Sequence, residues 1–240
     1  MRFIFTACSG RTGTAYLASL LTLVSNLGVA HEGPPALPML RKPQWEEGMN
    51  NALNFMNAVP EVETFALISH AFLKAGPEWW LKHHPETDVI VLTRPAREIA
   101  LSAWRRFSIP GRGKLGCSTK LSVYADDLRY SIRNPEELCD YSLCYWHALE
   151  MEARQKEVAA LYTAAGRTVH TLSMSELVDW RAGHFQRLLR VLELPQVPYF
   201  AYRVMAKNKI NSMSANSEMC RAIPPNIQNF EAAVIERRTE

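Results

Sequence analysis

The sequence carries little net charge. It has 27 Lys and Arg against 24 Asp and Glu in 240 residues, a formal charge of +3. A domain that binds nucleic acid through its overall charge has a stronger basic excess, so we expect no nucleic-acid partner. Any binding of anions must then come from a few Arg and Lys side chains gathered at one site.

Cysteine is scarce as well. The five cysteines are odd in number and include no CxxC pair, which excludes a disulfide framework and the usual spacing of a zinc site. A reducing compartment is the simplest setting for such a chain. We therefore expect a cytoplasmic protein.

A long apolar run is also missing. The best candidate, residues 16–30, contains two serines, a threonine and an asparagine, whereas a membrane span needs about 20 consecutive apolar residues. Too few residues precede Cys8 to form the apolar segment of a signal peptide. We expect a soluble, unprocessed chain with no membrane span.

Apolar residues, by contrast, make up 48% of the sequence, enough for a sizeable core. Short apolar runs predict strands, and apolar residues with a helical period predict helices. The predicted strands are residues 2–7, 28–30, 64–68, 89–92 and 168–172. The predicted helices are residues 14–25, 96–107, 136–165, 175–178 and 183–192. Strands that alternate with helices predict a parallel sheet flanked by helices, here in a single α/β domain over residues 1–240.

The most informative segment lies between the first predicted strand and the first predicted helix, Ala7-Cys8-Ser9-Gly10-Arg11-Thr12-Gly13-Thr14-Ala15. Its two glycines allow close approach of the backbone, and N–H groups at the start of a helix favour an anion. A plain glycine turn with a capping threonine is the alternative interpretation. The pattern predicts an anion-binding loop formed by Gly10, Arg11, Thr12, Gly13, Thr14 and Ala15.

This loop is not a Walker A loop. With Gly13 as the second glycine of G-x4-G-K-[ST], the lysine position holds Thr14, and the cation lies inside the loop at Arg11. The strand 89–92 leads into Thr93 and Arg94 rather than into an Asp that would hold magnesium. Because nucleoside triphosphate chemistry relies on that metal, we disfavour a nucleoside triphosphatase and expect no bound metal.

A second pattern begins at Arg94, where a predicted strand ends. A guanidinium at a strand end suits a phosphate, and Ser102 follows two turns into the next helix. Together with the loop, this pattern resembles sulfotransferases that use 3′-phosphoadenosine 5′-phosphosulfate (PAPS). Arg11-Thr12-Gly13-Thr14 is similar to their 5′-phosphosulfate loop, in the Arg-Ser-Gly-Thr form common in bacterial members. Arg94 and Ser102 match the family's 3′-phosphate-binding Arg and Ser in type and spacing.

The resemblance implies a P-loop-NTPase-like sheet and a metal-free, in-line transfer of a sulfuryl group from PAPS to a hydroxyl or amine, with PAP as the product. Arg11 is expected to neutralise charge on the oxygen of the leaving PAP. Ala15 stands where many members have a hydroxyl, and the C-terminal Arg-Lys-Gly element of the cytosolic enzymes is missing. Lys207 and Lys209 are its nearest substitutes, and we expect both to contact PAPS.

The transfer also needs a base that takes the proton of the acceptor. Glu32 follows the second predicted strand, and its place resembles that of the base in tyrosylprotein sulfotransferases. His70 follows the third strand and resembles the base of the cytosolic small-molecule enzymes. Either residue is alternatively a cap or a buried polar group. We favour Glu32 as the base and His70 as a group that orients the acceptor.

The sequence specifies neither the oligomeric state nor the acceptor, whose class is left open among small molecules, glycans, lipids and peptides. Residues 34–60 and 108–134 are predicted to wall the acceptor site, because loops on a rigid scaffold commonly carry function. Two rival functions stay open. One is a degenerate P-loop kinase, which would bind ATP with magnesium, and the other is a non-catalytic nucleotide-binding module of the same fold.

Three further patterns predict packing or surface rather than chemistry. Residues 111–116 spell GxGxxG but follow a helix and a proline, so they lack the context of a dinucleotide-binding turn. His83 and His84 are predicted to be surface residues of a polar loop, whereas Trp79 and Trp80 are predicted to pack or to form an interface.

Overall fold

The chain folds into two compact units. One consists of Met1–Arg94 with Glu157–Ser212, and the other of Pro95–Lys156 with Met213–Glu240. The computed structural model describes residues 2–32, 53–54, 62–74, 76–179, 181–207 and 221–239. The division into two units does not test whether residues 1–240 form a single domain, which stays a prediction.

The first unit is built on a five-stranded sheet. The strand order is β2-β3-β1-β4-β5, and every pairing is parallel. The strands are β1 (Arg2–Ala7), β2 (Leu27–His31), β3 (Thr64–Ile68), β4 (Asp88–Thr93) and β5 (Val169–Ser173). With helices flanking this sheet, the predicted α/β class is confirmed, and the arrangement is consistent with a P-loop-like fold.

The described helices follow one another along the chain between and after these strands. They are α1 (Thr14–Leu21), α2 (Pro77–His83), α3 (Ala96–Arg105), α4 (Gly113–Thr119), α5 (Asp140–Ala164), α6 (Met174–Leu177), α7 (Gly183–Val191), α8 (Tyr199–Lys207) and α9 (Ile227–Glu236). Short 3-10 turns cover Phe72–Lys74 and Pro135–Glu137.

The central strand β1 lies where the sheet changes direction. It pairs with β3 on one side and with β4 on the other, so that Phe5 lies opposite both Leu67 and Val89. The chain leaves β1 toward β2 on one side and later crosses to β4 on the other. In parallel α/β sheets, the crevice outside the carboxyl ends of the strands at such a switch point binds ligands. The segments that reach this edge follow Ala7, His31, Ile68 and Thr93.

Both faces of β1 are buried, which gives the segment at its end a rigid base. The Phe5 ring stacks on Phe72 with centroids 4.8 Å apart and lies 4.6 Å from the Trp80 ring. Ile4 belongs to a separate buried cluster that includes Leu17 of α1. Successive side chains of a strand point to opposite faces, so β1 is held from above and below.

The second unit has a core of its own, which includes Trp146 and Val234. Within it, Glu231 of α9 accepts a hydrogen bond from Tyr141 Oη at 2.7 Å and another from Arg97 Nε at 2.9 Å. These two bonds tie α9 to α5 and to α3.

Several predicted helix boundaries were wrong. Helix α1 ends at Leu21 rather than at residue 25, and the Thr22 hydroxyl donates back to Ser19 O at 2.8 Å just beyond it. Helix α2 was not predicted, and its last residue, His83, was placed in a polar loop. The helix begins with a proline at the first helical position, where proline has no N–H to lose. The sequence pattern predicted neither α8 nor α9, because their surroundings are polar and mixed.

The remaining structural predictions had mixed outcomes. Trp80 is fully buried, which confirms its packing role. His84 was wrongly predicted to be a surface residue, because its ring is half-buried with its centroid 5.2 Å from that of Phe3. The GxGxxG segment forms a turn and the start of α4, not a strand-to-helix turn, as the context argument predicted.

Candidate functional site

The loop between β1 and α1 has an unusual backbone. Gly10, Arg11 and Gly13 have φ values of 72°, 63° and 95°, the left-handed region that favours glycine. Left-handed residues are part of the concave nests in which successive N–H groups bind anions. The loop then runs into α1, whose first N–H groups have no partner within the helix. This backbone is compatible with the predicted anion-binding loop, whose binding of an anion stays a prediction.

Neighbouring side chains leave little or no room for a side chain at either glycine of the loop. A Cβ at Gly13 would lie 2.1 Å from Met174 Sδ, and one at Gly10 would lie 3.3 Å from Cδ2 of His70. Gly10 thus brings the loop against the imidazole of a predicted site residue. Any larger residue at Gly13 must displace Met174 as well as adopt a strained backbone.

Arg94 directly follows β4, and its side chain reaches the loop. Its Nη1 donates to the main-chain oxygen of Arg11 at 3.0 Å, across a separation of 83 residues. The two sequence patterns that carry the resemblance are therefore in contact. A guanidinium has five N–H donors, so a bond to one carbonyl is compatible with anion binding by the same group.

The two threonine hydroxyls of the loop are buried. Thr14 Oγ1 lies 3.1 Å from His31 Nε2. Thr12 Oγ1 has no nitrogen or oxygen partner among the described residues, and it interacts with the buried thiol of Cys8. A thiol is a weak hydrogen-bonding partner, so the Thr12 hydroxyl can still form a stronger bond with a polar ligand.

The two candidate bases lie next to each other. His70 Nε2 is 3.5 Å from Glu32 Oε2, because β2 and β3 are neighbours and each residue follows the end of its strand. The hydroxyl of buried Ser69 donates to the same Glu32 oxygen at 3.1 Å. On the other side of the imidazole, Lys74 Nζ lies 2.6 Å from His70 Nδ1. The pair is thus part of a four-residue polar cluster.

Glu32 is held in an uncommon backbone conformation. Its φ is 51°, a left-handed value that costs a residue with a side chain about 1–3 kcal/mol. Its N–H donates to Ile68 O at 3.3 Å, which extends the β2–β3 pairing beyond the strands. The Glu32 side chain is 35% exposed. The carboxylate is therefore fixed in place yet reachable from solvent.

Cys8, at the start of the loop, is not a candidate nucleophile. Its side chain is fully buried, and burial raises the pKa of the thiol to about 12. The thiol is then protonated at neutral pH, whereas the reactive form of cysteine is the thiolate. Cys8 therefore acts as a small apolar residue beneath the loop.

The structure brings most of the predicted site residues to one edge of one sheet. Residues 10–15, Glu32, His70 and Arg94 all lie at the carboxyl ends of β1 to β4 in the first unit. Ser102 is buried on α3 in the second unit, and Lys207 is the last residue of α8. Lys209 lies outside the described residues, as do residues 34–60 apart from 53–54. The roles of Ser102, Lys207 and Lys209 stay predictions.

Sequence reasoning missed three residues of this edge, namely His31, Ser69 and Lys74. The first two directly precede Glu32 and His70 at the ends of strands, so their positions alone were a signal. Lys74 follows His70 by four residues, the spacing at which side chains meet across a helical turn. The 3-10 turn at Phe72–Lys74 makes this contact.

No protein-family model and no curated protein sequence matches this chain. Within the described ranges, no group of three or more His, Cys, Asp and Glu residues is arranged to hold a metal ion. In the same part of the chain, no helix combines the length and the apolar character that crossing a membrane requires.

Proposed function

We propose that this protein is a sulfotransferase that moves a sulfuryl group from PAPS to a hydroxyl or amine of an acceptor. The contact of Arg94 Nη1 with Arg11 O at 3.0 Å carries this proposal. It joins the residue expected at the 3′-phosphate to the loop expected at the phosphosulfate. A nucleotide with anionic groups at both the 3′ and the 5′ position of its ribose suits two anion sites linked in this way.

The loop supplies the groups that would hold the phosphosulfate. Its left-handed backbone at Gly10, Arg11 and Gly13 and the first turn of α1 favour an anion,. The Thr12 hydroxyl would gain a stronger hydrogen-bond partner than the Cys8 thiol. Arg94 would hold the 3′-phosphate. The role of Ser102, which belongs to the second unit, stays what the resemblance implies. Lys207 and Lys209 are the further contacts that the resemblance implies.

When bound, PAPS supplies the sulfuryl group. The bond between the sulfur and a phosphate oxygen breaks as the acceptor oxygen or nitrogen bonds to the sulfur, and PAP leaves. The Arg11 side chain would compensate the negative charge on the leaving side. The proton of the acceptor would pass to the carboxylate of Glu32. One oxygen of this carboxylate accepts a hydrogen bond from the Ser69 hydroxyl. His70 would orient the acceptor from 3.5 Å away. No step requires a metal.

A thermal-shift series tests this proposal. Unfolding is followed with PAP, with AMP and with ATP plus magnesium, each at a hundredfold excess over the Kd expected for PAP. A ligand at that occupancy adds about 2.7 kcal/mol of apparent stability. We expect PAP to stabilise the protein far more than AMP, because AMP lacks the 3′-phosphate.

The matched variants are Arg94→Ala and, as a control, Arg190→Ala on the exposed surface of α7. The first is expected to abolish the preference for PAP over AMP, and the second to keep it. Stabilisation by ATP with magnesium but not by PAP would overturn the proposal and favour a kinase. Stabilisation by PAP without transfer of the sulfuryl group to any acceptor would favour a non-catalytic module.

A further inference from the structure

Lys74 is a cation buried beneath the candidate site. The residue ends the 3-10 turn after β3 and is only 6% exposed. A buried ammonium is costly unless nearby groups compensate its charge. Its Nζ lies 2.6 Å from His70 Nδ1, and beyond that ring lies the carboxylate of Glu32. The cation and the anion thus face each other across one imidazole.

The chemistry of the two partners assigns the proton on His70. An ammonium group has three donors and no acceptor, so Nδ1 of His70 must accept the bond from Lys74. In a neutral imidazole the other nitrogen then carries the proton. That nitrogen is Nε2, which lies 3.5 Å from Glu32 Oε2. His70 is therefore a donor toward Glu32 and has no lone pair on that side.

The ring has little freedom to leave this arrangement. Its Cδ2 lies 3.3 Å from the place where a Cβ on Gly10 would be, so the loop backbone lies close to this side of the ring. Lys74 holds Nδ1 at the other end. A flip of the ring would exchange Nδ1 with Cδ2 and lose the bond to the buried ammonium.

We propose that Lys74 is a positioning residue that keeps His70 in the tautomer with the proton on Nε2. His70 then acts as a hydrogen-bond donor at the site, and Glu32 is the only one of the two that can take a proton from an acceptor. The catalytic meaning of this inference rests on the proposed function, whereas the tautomer is a property of the protein without any ligand.

The test is the tautomer itself, read from the nitrogen NMR shifts of the histidine rings in uniformly labelled protein at neutral pH. The sequence has seven histidines, and the His70→Gln variant identifies the signals of His70. In the unsubstituted protein we expect Nε2 to be protonated and Nδ1 to be unprotonated. In Lys74→Met we expect a mixture of tautomers, and in the control Lys82→Met, an exposed residue of α2, no change.

Two results would overturn the inference. One is a His70 of the unsubstituted protein that carries its proton on Nδ1, a reading that does not depend on any variant folding. The other is a folded Lys74→Met protein whose His70 keeps the proton on Nε2 alone. Neither result depends on turnover, so a failure of the proposed function leaves this test standing.

A kinetic readout adds the catalytic consequence. If PAPS is a substrate, Lys74→Met is expected to lower kcat/KM for the acceptor by up to about 10²-fold, mainly through the KM for the acceptor as expected for His70→Gln, because His70 is misplaced. The KM for PAPS should change little. A loss that appears only in the KM for PAPS would contradict the positioning role, because it would place Lys74 in nucleotide binding instead.

Discussion

The two edges of the same sheet use charge in different ways. At the amino-terminal edge, Asp88 is 1% exposed and accepts bonds from Arg2 Nε at 2.8 Å, Arg167 Nη2 at 3.2 Å and Thr168 N at 3.1 Å. At the carboxyl edge, the Glu32 carboxylate is partly exposed and receives fewer bonds. One edge has a carboxylate that is satisfied from inside the chain, and the other has one that can still meet a ligand.

The backbone differs in the same direction. Asp88 and its partners lie at or beside regular strand positions, whereas the carboxyl edge contains left-handed Arg11 and Glu32. Backbone strain often gathers at functional sites. The contrast therefore supports the proposal that the carboxyl edge is available for chemistry, whereas the Asp88 cluster maintains the structure.

The largest effect is expected at the carboxyl edge, from Glu32→Gln. The amide keeps the shape of the side chain but cannot take a proton, so turnover should fall by roughly 10²–10⁴-fold with the melting temperature and the affinity for PAP nearly unchanged. His70→Gln should cost less, and mainly through the KM for the acceptor. Both are measured by steady-state kinetics with one acceptor. Near-native turnover of Glu32→Gln would remove Glu32 from the mechanism.

The opposite outcome is expected at the amino-terminal edge. Asp88→Asn leaves Arg2 and Arg167 without their shared counter-charge, and since those side chains are partly exposed the loss should be about 2–3 kcal/mol of unfolding free energy. The affinity for PAP should not change. Urea denaturation measures the first quantity and calorimetry the second. The exposed Asp126→Asn is the control, and equal losses in the two variants would contradict a structural role for the cluster.

The sequence predicted those features of the two edges that depend on a local pattern, and it missed those that depend on how distant segments pair. Strands β1 and β3 were predicted to the residue, because each is a short buried run bounded by polar residues or a turn. Helix α2 was missed, because its two tryptophans are adjacent and show no helical period. The contact of Glu32 with His70 depends on the pairing of β2 with β3. No local pattern encodes the order of strands in a sheet.

A smaller and more selective effect is expected from Arg94→Ala. It should weaken the binding of PAP by roughly 2–3 kcal/mol, the free energy that a charge-assisted contact contributes. The binding of adenosine 5′-phosphosulfate should be weakened much less. Some loss for the second ligand is expected, because Arg94 also holds the loop through Arg11 O. Calorimetric titration of both ligands measures the difference. Equal losses would show that Arg94 does not bind the 3′-phosphate.

The smallest expected effect is that of removing metal ions. The loop has Thr14 at the Walker lysine position, and β4 leads into Arg94 rather than an Asp, so we expect turnover of PAPS to survive EDTA. The assay compares initial rates with EDTA and with added magnesium. A complete loss that magnesium restores would contradict the metal-free mechanism and return the kinase to consideration.

The measurement that tests the central claim most directly is the transfer of labelled sulfur from PAPS to a panel of acceptors that includes phenols, sugars, lipids and tyrosine peptides. We expect a labelled product together with stoichiometric PAP for at least one class of acceptor, and loss of that product in Glu32→Gln. A folded protein that neither binds PAP nor labels any acceptor would contradict the proposed sulfuryl transfer.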